Sequence, residues 1–195
     1  MNEDWKTRQT LLQRAKDPED HQAWEEFVHY YRNFILMIMR KMNLSQSEQE
    51  DITQEILLKL WKKLESYNQQ KAGFRTWLSA VIRNTVLKFY ESSGRRLVRE
   101  NKSFINFLEG DSESELETLI EEEWKSYLTK VALENIRKIF SGKAVQAFEM
   151  TLEEIPVEQI CEELELKKES LYVLRNRVKS RFVEELRFLA SELQF

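Results

Sequence analysis

The 195-residue sequence has few of the residues that break or staple a chain, with four glycines, two prolines and one cysteine. With so few turn formers and few alternating apolar patterns, an all-α protein is expected. Cys161 has no second cysteine to pair with, so no internal disulfide can form and the chain suits a reducing cytosol. Its simplest role is that of a small apolar packing residue. His21 and His29 are the only histidines, and neither has a neighbouring Cys, His or acidic pair at ligand spacing in the same helix strong enough to suggest a metal, so neither a metal nor a cofactor is expected. No activated nucleophile, acid–base pair or phosphate-cradling glycine loop is present, so no enzyme is expected. The longest apolar run, residues 34–39, is far shorter than the roughly 20 residues that cross a bilayer. The opening MNEDWKTRQT is acidic and polar where a signal peptide is basic and then apolar. A cytoplasmic protein with no membrane partner is expected.

What is present is charge and helical periodicity. Hydrophobic residues make up 42% and charged residues 33% of the chain, with a formal net charge of −4. That content fits two small helical modules. The whole-chain charge does not exclude nucleic acid, because affinity follows local clusters of Lys and Arg. Such a cluster lies between residues 71 and 102, where Lys71, Arg75, Arg83, Lys88, Arg95, Arg96, Arg99 and Lys102 face only Glu91 and Glu100.

Residues 51–64 read as an amphipathic helix. At about 100° per residue, Ile52, Ile56, Leu57, Leu60 and Leu64 share a side, with Trp61 at its margin. Asp51, Gln54, Glu55 and Lys62 lie opposite, and Leu58 sits among them as either a stray surface residue or part of a docking face. A polar loop, residues 66–73, leads to a second helix. There Phe74, Leu78, Val81, Ile82, Thr85 and Phe89 form the inner face, and Thr76, Ser79, Arg83 and Tyr90 the outer one. Basic side chains attract phosphates, and aromatic rings offer unpaired bases a stacking surface worth ~1–3 kcal/mol per base. Trp77, at the edge of the apolar face, suits either packing or base contact.

The string DITQEILLKLW, a polar loop ending KAGFRTWL, and VIRNTVLKFY leading into GRR resemble region 2 of bacterial sigma factors of the compact extracytoplasmic-function (ECF) group. The resemblance implies a transcription initiation factor whose partners are core RNA polymerase and promoter DNA, and the group often answers to an anti-sigma factor. It implies that Asp51, Gln54, Glu55, Leu58 and Lys62 dock on the clamp coiled coil of the polymerase's largest subunit. The minus-ten strand would then meet Asn68, Lys71, Arg75 and Trp77. Arg83, Asn84, Lys88 and Tyr90 would lie nearest the bases, with Arg95 and Arg96 on phosphates. In the family the loop helps hold a flipped base, and flipping costs a few kcal/mol that a pocket and hydrogen bonds must offset; Asn68, Gln69 and Gln70 offer amides for this, or are simply polar.

Around this pair, a short helix is expected over residues 7–16, with Thr7 as a cap and Asp17 and Pro18 as its stop. A long helix over residues 19–42 follows, and Ser45 with Glu48 forms a capping box for the next one. Residues 101–123 are rich in Glu and Asp with no Lys or Arg from 103 onward, which reads as a mobile acidic linker. It is either a solvated tether or, by the resemblance, a nucleic-acid mimic on the RNA exit path. The expected organisation is therefore a first domain over 1–100, a linker over 101–123 and a second domain over 124–195.

In the second domain a short helix from Val157, a turn at 165–167 and a helix over 168–189 have helix-turn-helix spacing. Leu171, Leu174, Val178, Phe182, Leu186 and Leu189 form its core stripe. Lys168, Tyr172, Val173, Arg175, Asn176, Arg177, Lys179 and Ser180 lie on or beside the outer face, where Asn and Arg can read base edges and Lys and Arg hold phosphates. The segment resembles sigma region 4, which reads the minus-thirty-five element. Glu165 stands where such turns commonly carry glycine, and it tolerates left-handed angles poorly, so a shifted register is one expectation. A stand-alone helix-turn-helix regulator is the alternative reading; it leaves the aromatic and basic helix at residues 74–92 unexplained.

Overall fold

Side-chain caps set where the first helices begin. In the computed structural model, which describes residues 10–42, 44–92, 102–109 and 113–193, helix α1 (Leu11–Arg14) starts at a capping box in which Thr10 Oγ1 accepts from the Gln13 amide at 3.3 Å. Thr7, the expected cap, lies outside the described residues. Asp20 caps α2 (His21–Arg40) by accepting from the Ala23 amide at 2.9 Å. That bond, assisted by Arg14, holds its carboxyl below the usual range. The expected Ser45–Glu48 box is present at the start of α3 (Gln46–Lys63), with contacts of 3.3 and 2.7 Å. It begins the helix before Asp51, so Asp51 sits within it. A loop follows, and then α4 (Phe74–Ser92).

The chain divides into two compact units, residues 1–125 with 192–195, and residues 126–191. Within the first, α2 is buried on most of its circumference, through Phe27, Tyr31, Phe34, Ile35, Leu36, Ile38 and Met39. Phe27 stacks on Tyr31 at 4.3 Å, and Phe74 at the start of α4 meets Tyr31 edge-on at 5.2 Å. Ile52, Ile56 and Leu60 of α3 and Leu78, Ile82 and Val86 of α4 complete this core.

The acidic segment departs from expectation. Its described residues form α5 (Lys102–Glu109) and the start of α6 (Glu113–Ile139), and they group with the first unit up to residue 125. Ile105, Leu108, Leu116, Ile120 and Trp124 are all buried, and Trp124 stacks on Tyr31 at 5.3 Å. Expecting a mobile tether is thus corrected. Leu116, Ile120 and Trp124 recur every four residues, and burying that stripe outweighs the solvation of the glutamates beside it.

The second unit holds the rest of α6, then α7 (Lys143–Leu152), α8 (Val157–Glu163) and most of α9 (Lys168–Leu193). Ala147, Met150, Ile160, Leu164 and Leu171 form its core, with Ile155, Val157, Cys161 and Leu166 packed against it. On α9, Leu171, Val178, Phe182 and Leu189 are buried as expected, while Leu174 and Leu186 are half-buried. Glu185 is also buried, accepting from Asn135 Nδ2 at 2.9 Å and from Arg181 at 3.4 Å.

Two turns use left-handed glutamates, Glu154 at φ 60° and Glu165 at φ 50°. Each follows a helix C-terminus and is closed by a six-residue backbone bond, Ile155 N–H to Met150 O at 3.0 Å and Leu166 N–H to Cys161 O at 2.9 Å. Glu165 therefore adopts the backbone of the glycine it replaces, at a cost of about 1 kcal/mol for its Cβ. Glu165→Gly is expected to raise the stability of the second unit by about that much, less the entropy of the more flexible unfolded chain; urea unfolding with an unchanged or lowered midpoint would contradict this. A second expectation concerns Thr53, fully buried on α3 with no hydrogen-bond partner for its hydroxyl among the described residues. Thr53→Val keeps the shape and removes the desolvated hydroxyl, so thermal unfolding should show a gain of roughly 1 kcal/mol.

Candidate protein and nucleic-acid interfaces

The inner face of α3 is fixed by Ile52, Ile56, Leu60 and Leu64, and this turns Asp51, Gln54, Leu58 and Lys62 outward. Leu58 is 58% exposed and Trp61, beside it, is 37% exposed. Glu55 is half-buried and paired with Lys59 Nζ at 2.8 Å. All five residues expected on this face are thus brought to one side of one helix. Beside them Trp24 and Val28 of α2 join Gln54, Leu57, Leu58 and Trp61 in lining an open apolar groove of about 460 Å³. The Trp24 and Trp61 rings meet edge-on at 4.7 Å. Reading the α3 wheel alone misses Trp24 and Val28. Lys59 was also missed: its ammonium reaches Thr85 Oγ1 of α4 at 3.0 Å as well as Glu55. The Glu55–Lys59 spacing of four residues is a signal the sequence does carry.

The loop between α3 and α4 is held by Tyr67, whose hydroxyl donates to the Ala72 carbonyl at 2.8 Å. Asn68 is exposed, but its side-chain oxygen accepts from the Gln70 amide at 2.8 Å, so one end of its amide is engaged in the turn. Trp77 is half-buried between Tyr67 at 5.1 Å and Phe74 at 5.5 Å. Packing thus accounts for much of the ring.

On α4, Asn84 and Lys88 are exposed, as is Lys71 before it. The other expected contacts are placed differently. Arg75 Nε donates to Glu121 of α6, and Arg83 Nε donates to the Leu108 carbonyl of α5. Lys41, after α2, pairs with Glu123 at 2.5 Å. Tyr90 is 2% exposed, and its hydroxyl donates to the Met42 carbonyl at 3.4 Å. That corrects its assignment to the bases: a ring enclosed beside the end of α2 cannot stack on DNA. Burial, with Glu48 nearby, pushes its pKa up to about 12. Arg95 and Arg96 lie outside the described residues.

On α9 the residues expected to face DNA are mostly solvent-facing. Val173 is 67% exposed, and Tyr172, Asn176, Arg177, Lys179 and Ser180 are exposed too. Arg175 is half-buried with its guanidinium 4.8 Å from the Tyr172 ring centre, and Arg177 lies 5.6 Å from that of Phe140. These cation–π contacts aim the two guanidinium groups. Lys168 pairs with Glu158 of α8 at 3.0 Å, which raises the pKa of Lys168 and lowers that of Glu158. A shallow groove on this face is lined by Asn176, Lys179, Ser180, Val183, Glu184 and Arg187. Among the described residues no group of His, Cys, Asp and Glu side chains could hold a metal ion, and no helix is long and apolar enough to cross a membrane.

Residues 27–96 match the family Sigma-70 region 2. Over 84 residues, 42% of this chain, the sequence is 34% identical to the "ECF RNA polymerase sigma factor SigG" of Mycobacterium tuberculosis, and it spans 22% of that protein's length. It is 22% identical over 161 residues to a "Probable RNA polymerase sigma factor" of Haemophilus influenzae, covering 74% of this chain and 80% of the relative. No solved structure matches significantly.

The enclosed phenol provides a test of the local geometry. Its ordinary pKa near 10.0 is raised to about 12 by folding, so it contributes stability that is complete below pH 10 and disappears as the pH rises through 12. Tyr90→Phe should flatten that alkaline loss in a denaturation series and leave single-stranded DNA binding at neutral pH unchanged. Weakened DNA binding in the variant would mean that the ring does reach the bases.

Proposed function

Starting from the match of residues 27–96 to sigma-70 region 2 and the likeness to ECF-type sigma factors at low identity, we propose that the chain is a sigma factor of the ECF type. It binds core RNA polymerase, brings it to promoter DNA and catalyses no reaction of its own. The observation that carries this reading is the separation of surfaces within the matched region. The outer side of α3 offers Asp51, Gln54, Leu58 and Lys62 beside an apolar groove, which suits a protein helix: an apolar centre with a charged rim. The loop and outer side of α4 offer Asn68, Lys71, Asn84 and Lys88, which suit a single strand opened at the minus-ten element. Arg75 and Arg83 would join them once released from their present partners.

The second unit serves, in this reading, as the upstream anchor. Helix α8, the turn at Glu165 and helix α9 form a helix-turn-helix, with Val173, Asn176 and Arg177 toward base edges and Lys179 and Ser180 toward phosphates. The left-handed Glu165 supports an unshifted register. An anti-sigma factor would find the same α3 groove and α4 surface available for masking.

Gel filtration of the purified chain with core polymerase should give one stable complex, and a promoter library should then yield defined transcripts. Asp51→Arg combined with Leu58→Asp should weaken polymerase binding by at least tenfold, because it reverses a rim charge and places a carboxylate in the apolar centre. Circular dichroism should show unchanged helicity. Undiminished affinity of that variant would exclude the α3 face, and the absence of any complex with the parent chain would exclude the sigma reading.

A further inference from the structure

Resting on that reading, we propose that Lys16 is a positioning residue for base selectivity, which sets the backbone of the loop between α3 and α4 without touching DNA itself. Lys16 lies in the turn after α1 and is half-buried. Its ammonium donates to the Tyr67 carbonyl at 2.5 Å and stands 4.9 Å from the centre of the same residue's ring. The two residues are 51 positions apart, so the bond exists only when the turn and the loop are both in place. The charge on the donor makes it stronger than a bond from a neutral amide, and the attraction of the ring for the ammonium adds to it.

What this contact governs follows from the other bonds of the loop. Tyr67 is buried, and its ring packs against Phe74 at 5.5 Å and Trp77 at 5.1 Å. Its amide donates to the Leu64 carbonyl at 3.1 Å and its hydroxyl to the Ala72 carbonyl at 2.8 Å. The side chain is fixed by these contacts, whereas the peptide leading from Tyr67 to Asn68 is held at its carbonyl by Lys16. Turning that peptide over would break the charged bond and re-aim the residues that follow. Those are Asn68, Gln69, Gln70 and Lys71, all exposed. The Asn68 carbonyl accepts from the Lys71 amide at 3.1 Å, and Asn68 Oδ1 accepts from the Gln70 amide at 2.8 Å. Bonds this local give the turn its shape, and the tie to Lys16 gives it its direction. A base reached by these amides meets a loop that needs no ordering on binding. Held in one conformation, the loop discriminates between bases better than it would in several.

The test uses the full-length chain in complex with core polymerase and reads fluorescence anisotropy of labelled single-stranded oligonucleotides. Their minus-ten motif is first selected from a randomised library with the parent chain. Lys16→Met removes the ammonium and keeps an unbranched stem. Lys16→Arg keeps the charge, and a recess of about 240 Å³ beside Lys16, Pro18 and Trp61 has room for the larger head. Lys63→Met removes the same charge from an exposed position. Lys16→Met should bind the selected motif about fivefold more weakly, because the competent loop is then populated only part of the time. Oligonucleotides mismatched at the base the loop reads should lose less than about twofold, since they gain little from the ordered loop. Lys16→Arg should restore most of the selectivity, and Lys63→Met should leave it as in the parent. In the free chain, nitrogen-15 relaxation dispersion of Lys16→Met should show new microsecond-to-millisecond exchange at the Asn68 and Gln69 amides and none in α2. Unchanged selectivity, equal losses for matched and mismatched strands, or exchange that spreads into α2 would overturn the proposal and leave the sigma reading standing. If the parent complex selects no motif at all, the sigma reading falls and takes the role of Lys16 with it.

Discussion

The first unit depends on one constraint, the enclosure of α2 by aromatic rings. Phe27, Tyr31 and Phe34 recur along the helix at spacings of four and three residues, so their rings form a continuous ridge. Phe74 meets that ridge at the start of α4, and Trp124 stacks on Tyr31 and meets Phe34 edge-on at 4.8 Å. Rings in these arrangements add directional preference to area burial. A ridge gripped by Phe74 on α4 and Trp124 on α6 leaves little freedom in where those helices lie. The surfaces that α3 and α4 turn outward follow from what the ridge draws inward.

Charge is distributed over that frame in a way the net value of −4 conceals. Basic residues gather on α4 and its approach, and acidic residues gather in the segment that packs beside it. Exposed pairs between them contribute modestly to stability. Their larger effect is on which groups meet solvent and partners: Lys71 and Lys88 remain exposed while Arg75 and Arg83 are engaged.

Much of this was legible in the chain. Periodicity located α2, α3 and α4 and the stripes of α3 and α9, because one apolar face per helix is what a simple wheel detects. It was less successful where a helix is enclosed on more than one side. Ser79 and Tyr90 fall opposite the apolar face of α4 and yet are buried, since neighbours that the wheel cannot see cover them. The acidic segment was misread for a related reason: its glutamates dominate the composition, although Leu116, Ile120 and Trp124 display the helical repeat. Glu165 shows a third kind of difficulty. A residue that disfavours left-handed geometry adopts it when helices on both sides bury Ile160, Leu164 and Leu171 around the turn. Lys59 is legible only in part, since its spacing from Glu55 is written in the chain and its approach to Thr85 requires the packed helices.

That lysine has a mechanical consequence. Its single ammonium touches Glu55 on its own helix and Thr85 on the next, so one hydrogen bond ties α3 to α4 at this point. The tie is light, because water reaches both members of the Lys59–Glu55 pair: it favours one rotational setting of α3 beside α4, while the side chains buried between the two helices carry the packing.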